Sequence, residues 1–460
     1  MSCMHGHATH YTAALQAIRV LRKHGHQALL VGGCVRDLLL RRNPTDYDVA
    51  TSATPDQVMR IFPETYAVGA QFGVVLVPVK VLGEAEAHGH IEVATFRSDG
   101  AYLDGRHPDS VLYTTSAQHD VERRDFTING LLLDPFSEHP NTPHGEVLDY
   151  VDGRRDLELG IVRTIGQPGQ RFAEDKLRML RAVRFAARFE YAIEAETAAA
   201  IRNLAAQINQ VSCERIRDEL SKMLTEGHAR RAFQLLDEIE LLREALPEIT
   251  RMKGVEQPPE YHPEGDVFVH TLLLLGGLPA GCPLTLAWGA LLHDVGKPAT
   301  FRRAPDRIRF DGHVEIGVRI AEDLLARLRF SNREREQILA LVENHMRFAD
   351  VRKMKDSTFK RFVRLEDFDE HLALHRLDCL ASHGKLDLLD YTRERLAAIP
   401  VGAVRPRPLI NGHDLIAAGY RPGPRFAEIL AAVEDAQLEG TIATRDEAMG
   451  FAESNFAVAE

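Results

Sequence analysis

Several residue groups in this 460-residue chain have the types and spacing that phosphate chemistry requires. Asp46 and Asp48 stand two apart in TDYDVAT, and in a strand the i and i+2 side chains share a face. Two carboxylates on one face offer the hard oxygen donors that Mg²⁺ takes, with substrate phosphates and water completing the shell. They are the candidate catalytic pair, and Glu92 in HIEVATFR is a candidate third ligand; a solvated strand face is the alternative. Upstream, Gly32 and Gly33 follow the apolar run ALLV and precede Val35, Arg36 and Asp37 on an expected helix. Bare backbone N–H groups and a guanidinium there could dock a triphosphate. Two metal ions beside it could activate a 3′-hydroxyl and stabilise a departing pyrophosphate.

Further along, RRDFTINGLL combines Arg123 and Arg124, suited to phosphates, with Asp125 and Asn129, short polar groups able to hold a ribose hydroxyl. A capped helix with Asp125 as a structural acceptor is the competing reading. In AEDKLRMLRAVRF, Asp175 and Arg178 are three apart and, on one helix, project to one side. An Asp accepts from an exocyclic amine and an Arg donates to a ring nitrogen or carbonyl, so the pair could favour cytosine and adenine over uracil and guanine. A weak surface ion pair is the bland alternative. Arg181 and Arg184 extend this basic edge and could hold triphosphate or RNA. In the second half, His270, His293, Asp294 and Asp378 follow the order H…HD…D, with His313 and His345 between them. Imidazoles with carboxylates suit a divalent transition metal, whose bound hydroxide could cleave phosphate esters. Lys297 could hold a phosphate there or be solvated. His5, His7, His10 and the dipeptide His413–Asp414 have no ligand series around them.

The elements that must position these groups change character along the chain. ALLV, TDYDVAT, FGVVLVPV, HIEVATFR and EVLDYV alternate or run apolar over four to eight residues, as strands do, after a helical lead-in near 12–24. Residues 98–115 are rich in Gly, Asp and Pro and predict a long exposed loop. From about 170 the period becomes helical, over 172–189, 195–208, 212–226 and 229–245; breaks at 253–265 and 400–408 read as linkers. The composition, 45% hydrophobic and 27% charged, excludes disorder and collagen and predicts more than one core. With no long uncharged apolar run and no basic–apolar leader at the amino terminus, the expectation is a cytoplasmic protein without a membrane partner. Five scattered cysteines, none in a CxxC pair, argue against disulfides or a thiolate zinc site. A net charge of −11 is no advertisement for a polyanionic partner, yet Arg171, Lys176, Arg178, Arg181, Arg184 and Arg188 form a locally basic stretch.

The ordered blocks LVGGCVRDLLL, TDYDVATSATP, FGVV, RRDFTINGLL, VDGRRDL, RFAEDKLRMLRAVRF and ERIRDELSKML, spanning about residues 29–224, resemble the polymerase-beta-type nucleotidyltransferases. The likeness is specifically to the bacterial class II tRNA nucleotidyltransferases that add CCA and the related poly(A) polymerases. It implies an α+β chain: a nucleotidyltransferase α/β head (1–157), an elongated all-α neck that selects the base and binds RNA (158–255), an HD phosphohydrolase-like domain (256–400) and a helical tail (401–460). It implies CTP, ATP and the tRNA 3′ end as partners and Mg²⁺ as cofactor, with Asp125 reading the 2′-hydroxyl and Asp175 and Arg178 reading the base. VDGRRDL is expected to be a hinge, ERIRDELSKML a neck helix supporting the pocket, and the loop around GAYLDGRHP a coupling element for the switch from C to A. HDVGKP with its flanking histidines resembles an HD-type phosphohydrolase over about 262–395. Two rivals stand: an A-only enzyme or poly(A) polymerase, against which the chain has GAQFG at 69–73 where those enzymes carry a basic segment, and an HD-led phosphohydrolase with an RNA-binding amino-terminal half.

Overall fold

The computed structural model describes residues 2–67, 73–82, 89–99, 111–400 and 402–456. Residues 69–72 of GAQFG and residues 100–110 of the expected loop lie outside the described residues. The chain divides into two compact units, Met1–Thr250 and Arg251–Glu460.

The first unit is built on a six-stranded sheet of order β3-β4-β2-β1-β7-β8. Its strands are β1 (Ala28–Val31), β2 (Asp48–Thr51), β3 (Val74–Pro78), β4 (His90–Thr95), β7 (Leu131–Asp134) and β8 (Glu146–Asp149), while β5 (Arg97–Asp99) and β6 (Val111–Tyr113) form a separate antiparallel pair at the ends of the expected loop. Leu29, Val31, Ala50, Phe96, Val121 and Leu132 close one buried face. Two features of this sheet position chemistry. Val31 pairs with Asp48, so the turn at Gly32, with φ at 74°, abuts the start of β2. Strand β2 runs parallel to β4 with Val49 opposite Val93, which sets Glu92 near Asp48. Around the sheet lie α1 (Ser2–Lys23), α2 (Gly33–Leu39), α3 (Pro55–Ile61), α4 (Ala117–Glu122) and α5 (Gly153–Leu159). The amino-terminal helix thus begins well before the expected lead-in, and VDGRRDL, expected as a hinge, is largely the helix α5, whose Asp156 is tied to Thr127 at 2.7 Å.

Helices follow: α6 (Pro168–Glu174), α7 (Leu177–Phe189), α8 (Ala195–Leu204), α9 (Cys213–Thr225), α10 (Ala229–Glu238), α11 (Leu241–Ala245) and α12 (Pro247–Thr250), with β9 (Ile161–Val162) and β10 (Ala192–Ile193) pairing in parallel. The single helix expected over 172–189 is therefore broken. Asp175 takes an extended conformation (φ −145°, ψ 106°) between α6 and α7. Likewise, the helix expected over 229–245 stops at Glu240, which is left-handed at φ 66°.

The second unit is helical: α13 (Val267–Gly276), α14 (Leu284–Leu292), α15 (Lys297–Thr300), α16 (His313–Arg327), α17 (Asn332–Asn344), α18 (Asp356–Val363), α19 (Phe368–Ala381) and α20 (Asp387–Ala397). Apolar on nearly every side, α13 and α14 are buried through Leu274, Leu275, Leu286, Trp288 and Leu291, as a central helix must be. The tail, α21 (Gly412–Ala417), α22 (Arg425–Leu438) and α23 (Arg445–Asn455), has its own small core of Leu415, Tyr420, Ile429 and Val433. Arg361 and Arg364 of the α18 region bind it through Glu434 at 2.7 and 2.6 Å.

Candidate active site and metal centre

A polar cavity of about 560 Å³ opens where β1, β2 and α7 come together. Gly32, Gly33, Arg36, Asp46, Asp48, Arg124, Asp125, Asn129, Asp175, Arg178, Arg181 and Arg184 all line it, together with Arg123 and Phe185. Asp48 opens β2, but Asp46 precedes the strand in exposed, irregular backbone, so the shared strand face expected for this pair does not exist. What joins them is the cavity. Burial raises the Asp48 carboxyl to about 6, helped by the neighbouring charges of Glu92 and Asp46 and opposed by Arg124. Hard oxygens crowded enough to repel one another fit a divalent cation. Glu92 is exposed and does not line the cavity, though after burial its charge is the largest influence raising the Asp48 carboxyl.

The glycine turn needs its glycine: φ is positive at Gly32, and a Cβ there would sit 3.4 Å from Arg124 Nη1. Arg124 donates to Asp120 at 2.9 Å, and its Nε is without a hydrogen-bond partner among the described residues. Arg36, expected to face a triphosphate freely, is instead buried against Phe185 and Phe189; it donates to Asp37 at 2.8 Å and Asn129 at 2.5 Å. Asn129 in turn donates to Asp125 at 3.1 Å. Burial would lift the Asp125 carboxyl, but Arg181, bound at 2.7 Å, and Asn129 outweigh burial and hold it down to about 2.

The base-reading pair is likewise reorganised. Asp175 and Arg178 are not on one helix, yet both reach the cavity. Asp175 is bound by Arg215 at 2.8 Å and accepts from the Leu177 N–H at 3.1 Å, while Arg178 donates to Glu174 at 2.7 Å and to the Arg171 carbonyl at 3.0 Å. Arg184 is buried against Glu219 at 2.7 Å. The stretch that reads as basic along the chain is largely neutralised in space by Glu174, Asp125, Glu219 and Glu226. Sequence reasoning missed Arg215, Glu219 and Phe185; the i,i+4 spacing of Arg215 and Glu219 on a helix was the available signal.

In the second unit, six expected ligands converge. Asp294 Oδ2 lies 3.2 Å from His293 Nε2 and 4.0 Å from His270 Nε2; its Oδ1 lies 3.8 Å from His345 Nε2 and 4.0 Å from His313 Nε2. Asp378 is 3.1 Å from His270 Nε2. His293, His313 and His345 each turn Nδ1 to a backbone carbonyl at 2.7 to 2.9 Å, leaving four Nε2 atoms, with that of His270, aimed inward without a hydrogen-bond partner among the described residues. Those inward-facing ring nitrogens around a carboxylate have the donor types that fit a metal ion. Burial lowers His345 to about 4, and for His270 burial is overcome by Asp378 and Glu264, which raise it to about 9. Lys297 donates to Gln257 at 2.6 Å and pairs with Asp294 at 2.7 Å, so it is buried rather than solvated. Gly296 of HDVGKP is dictated by contact, since a Cβ would strike the His313 carbonyl and the Gly317 backbone. A cavity of about 390 Å³ opens beside the cluster, walled by Tyr261, Phe310, Met346 and Leu388. His413–Asp414 is a capping feature of α21, with Asp414 paired to Arg445.

The head sheet with its carboxylate-lined polar cavity has the form expected of a nucleotidyltransferase head, and the second unit with its imidazole cluster that of an HD-type domain. Residues 28–163 match the poly A polymerase head domain, 190–253 the probable RNA and SrmB-binding site of polymerase A, and 272–372 the HD domain. In order along the chain, these three domains resemble those of the bacterial tRNA nucleotidyltransferases and poly(A) polymerases with a C-terminal HD domain. It is 42% identical over 228 residues to the CCA-adding enzyme of Geobacillus thermodenitrificans, covering 50% of this chain and 53% of the relative. To that of Bacillus subtilis it is 40% identical over 234 residues, 51% and 55%. The chain thus spans about half the length of these curated relatives. Its fold is similar to the Bacillus stearothermophilus CCA-adding enzyme in complex with CTP, with a TM-score of 0.69, 27% identity and 97% coverage of both chains. The Thermotoga maritima CCA-adding enzyme complexed with tRNA, at 18% identity, a TM-score of 0.56 and coverage of 96% and 94%, shares the fold. The family implies use of a divalent metal, and candidate ligand groups are present in both units. No helix among the described residues is long and apolar enough to cross a membrane.

Proposed function

We propose that this protein adds CCA to the 3′ end of tRNA from CTP and ATP, releasing pyrophosphate. The observation that carries this reading is the gathering of the glycine turn, both aspartates and the arginine-rich blocks around one polar cavity. In each cycle the tRNA 3′-oxygen forms a bond to the α-phosphorus, and the bond between the α-phosphorus and the bridging oxygen breaks. Mg²⁺ held by Asp46 and Asp48, with Glu92 as a candidate third ligand, supplies activation of the hydroxyl and neutralisation of the leaving group when bound. Arg124, which lines the cavity with its Nη1 beside the Gly32 turn, binds the triphosphate. Asp125, kept ionised by Arg181, accepts from the ribose 2′-hydroxyl. Asp175 accepts from the amine of C or A, and Arg178 donates to the neighbouring ring position. The helical residues 158–255 carry the acceptor RNA by shape and backbone, with 1–157 as head, 256–400 as HD domain and 401–460 as tail. A tRNA substrate implies work in the cytoplasm. The relatives named CCA-adding enzymes, one of them solved with CTP, support this reading over A-only addition. Its test is incorporation of labelled CMP and AMP into tRNA lacking CCA; Asp46→Ala and Asp48→Ala are expected to abolish it, and full activity in either would overturn the mechanism.

A second activity is favoured by the inward-facing Nε2 atoms of the HD cluster. His270, His293, Asp294, His313, His345 and Asp378 would hold a divalent transition metal, which supplies a hydroxide nucleophile for phosphate-ester cleavage when bound. Retention of about one or more equivalents of metal after dialysis, lost in Asp294→Asn, is the expected result; a metal-free wild type would end this reading.

A further inference from the structure

The geometry points to helix α9 as the element that sets nucleotide specificity, with Arg215 fixing the base-reading carboxylate and Glu219 fixing the ribose-reading one. This rests on the roles proposed above for Asp175 and Asp125. Residues 215 and 219 are one helical turn apart and so share a face of α9. From that face Arg215 Nη2 reaches Asp175 Oδ2 at 2.8 Å. Asp175 sits in extended backbone at the break between α6 and α7, where no helix fixes its direction; its other oxygen takes the Leu177 N–H at 3.1 Å. Arg215 is therefore the contact that turns the remaining carboxylate lone pairs toward the cavity as acceptors. Such a group matches the amine of C or A and opposes the carbonyl of U or G.

Glu219 is only 3% exposed; one oxygen is taken by an arginine, and the other faces Lys222 Nζ at 3.6 Å as well as a second arginine. Oε2 binds Arg184 Nε at 2.7 Å, and Oε1 stands 4.0 Å from Arg181 Nη1. Arg181 then grips Asp125 Oδ2 through Nε at 2.8 Å and Nη2 at 2.7 Å. One chain of contacts thus ends at the base reader and the other at the ribose reader, so the two kinds of selectivity should fail separately. Arg215 and Glu219 are positioning residues, since each acts through another side chain.

The test uses the full-length protein with tRNA lacking CCA, Mg²⁺, and CTP, UTP or dCTP as single nucleotides, reading kcat/KM for each. Arg215→Ala is expected to cut the CTP-over-UTP preference by about 10-fold or more, the scale of one lost charge-assisted contact, while CTP over dCTP stays within about 2-fold. Arg215→Lys should recover part of the preference. Glu219→Gln should show the reverse pattern, losing CTP over dCTP and keeping CTP over UTP. Arg215→Gln, which retains an N–H donor at that position, serves if the alanine variant melts early. An unchanged CTP-over-UTP preference in folded Arg215 variants would overturn the proposal, as would both preferences falling together, the signature of general loosening. Asp175→Ala separates the two layers: if it keeps the wild-type preference, base reading by Asp175 fails and the role of Arg215 falls with it.

Discussion

At Asp48, burial and like-charge repulsion act on a carboxylate proposed to hold the catalytic metal. Its carboxyl is raised from 3.8 to about 6 by burial first and then by Glu92 and Asp46, with Arg124 opposing. The folded protein therefore holds this proton more tightly than the unfolded chain does. The resulting stabilisation is complete below about pH 4 and is lost as pH rises through about 6. Asp48→Asn, which cannot ionise, should be more stable than the wild type at pH 7 in metal-free buffer, by up to about 2 kcal/mol, and no more stable at pH 4. Urea denaturation at both pH values checks this, and an equal difference at the two would contradict it. The Mg²⁺-dependent rate should fall as pH drops below about 6, because the protonated acid is a poorer ligand. Gly32→Ala should weaken nucleotide binding and cost about 1 kcal/mol or more, through positive φ and the push on Arg124; thermal melts and the KM for CTP read both, and a variant with wild-type Tm and KM would contradict it.

At the scale of elements, α7 and α9 are held together by buried charge rather than by apolar contact alone. Glu219→Ala would leave Arg184, 6% exposed, without its principal acid, a loss of about 3–5 kcal/mol. Chemical denaturation of Glu219→Ala against Glu219→Gln measures it, and a loss under about 1 kcal/mol for the alanine variant would show the pair to be dispensable. The glycine turn, the helical second half and most strands of the head sheet, though not β7 (Leu131–Asp134), were legible because each follows a short-range rule: Gly before a helix, period 3.6, period 2. The break at Asp175 was not legible, since the apolar period runs through it and the cap is a side-chain choice made against Arg215 on another helix. The basic stretch misled for the same reason. Its partners Asp125, Glu219 and Glu226 are distant along the chain, and a linear count cannot see them. Asp46 shows a further limit: a DxD spacing puts both carboxylates in one cavity even though only Asp48 is in the strand.

Over the whole molecule, two candidate sites lie in two compact units, one a polar cavity lined by carboxylates and arginines, the other a cluster of imidazoles around Asp294. They should be separable. Asp294→Asn should lower bound transition metal at least about 10-fold and leave nucleotide addition within about 2-fold, whereas Asp46→Ala should do the reverse. Metal analysis beside incorporation assays on the same preparations tests this, and loss of both functions in either variant would contradict the separation. With a net charge of −11, the proposed tRNA binding would depend on local basic contacts, so its affinity is expected to fall steeply between about 50 and 200 mM salt. The most direct test of the central claim uses tRNA transcripts ending before CCA, after C and after CC, incubated with the protein, Mg²⁺ and CTP, ATP or both, and resolved at single-nucleotide length. The account predicts that the shortest transcript grows by three residues only when both nucleotides are present. Extension of the CC-ending transcript alone, by one A, would contradict it.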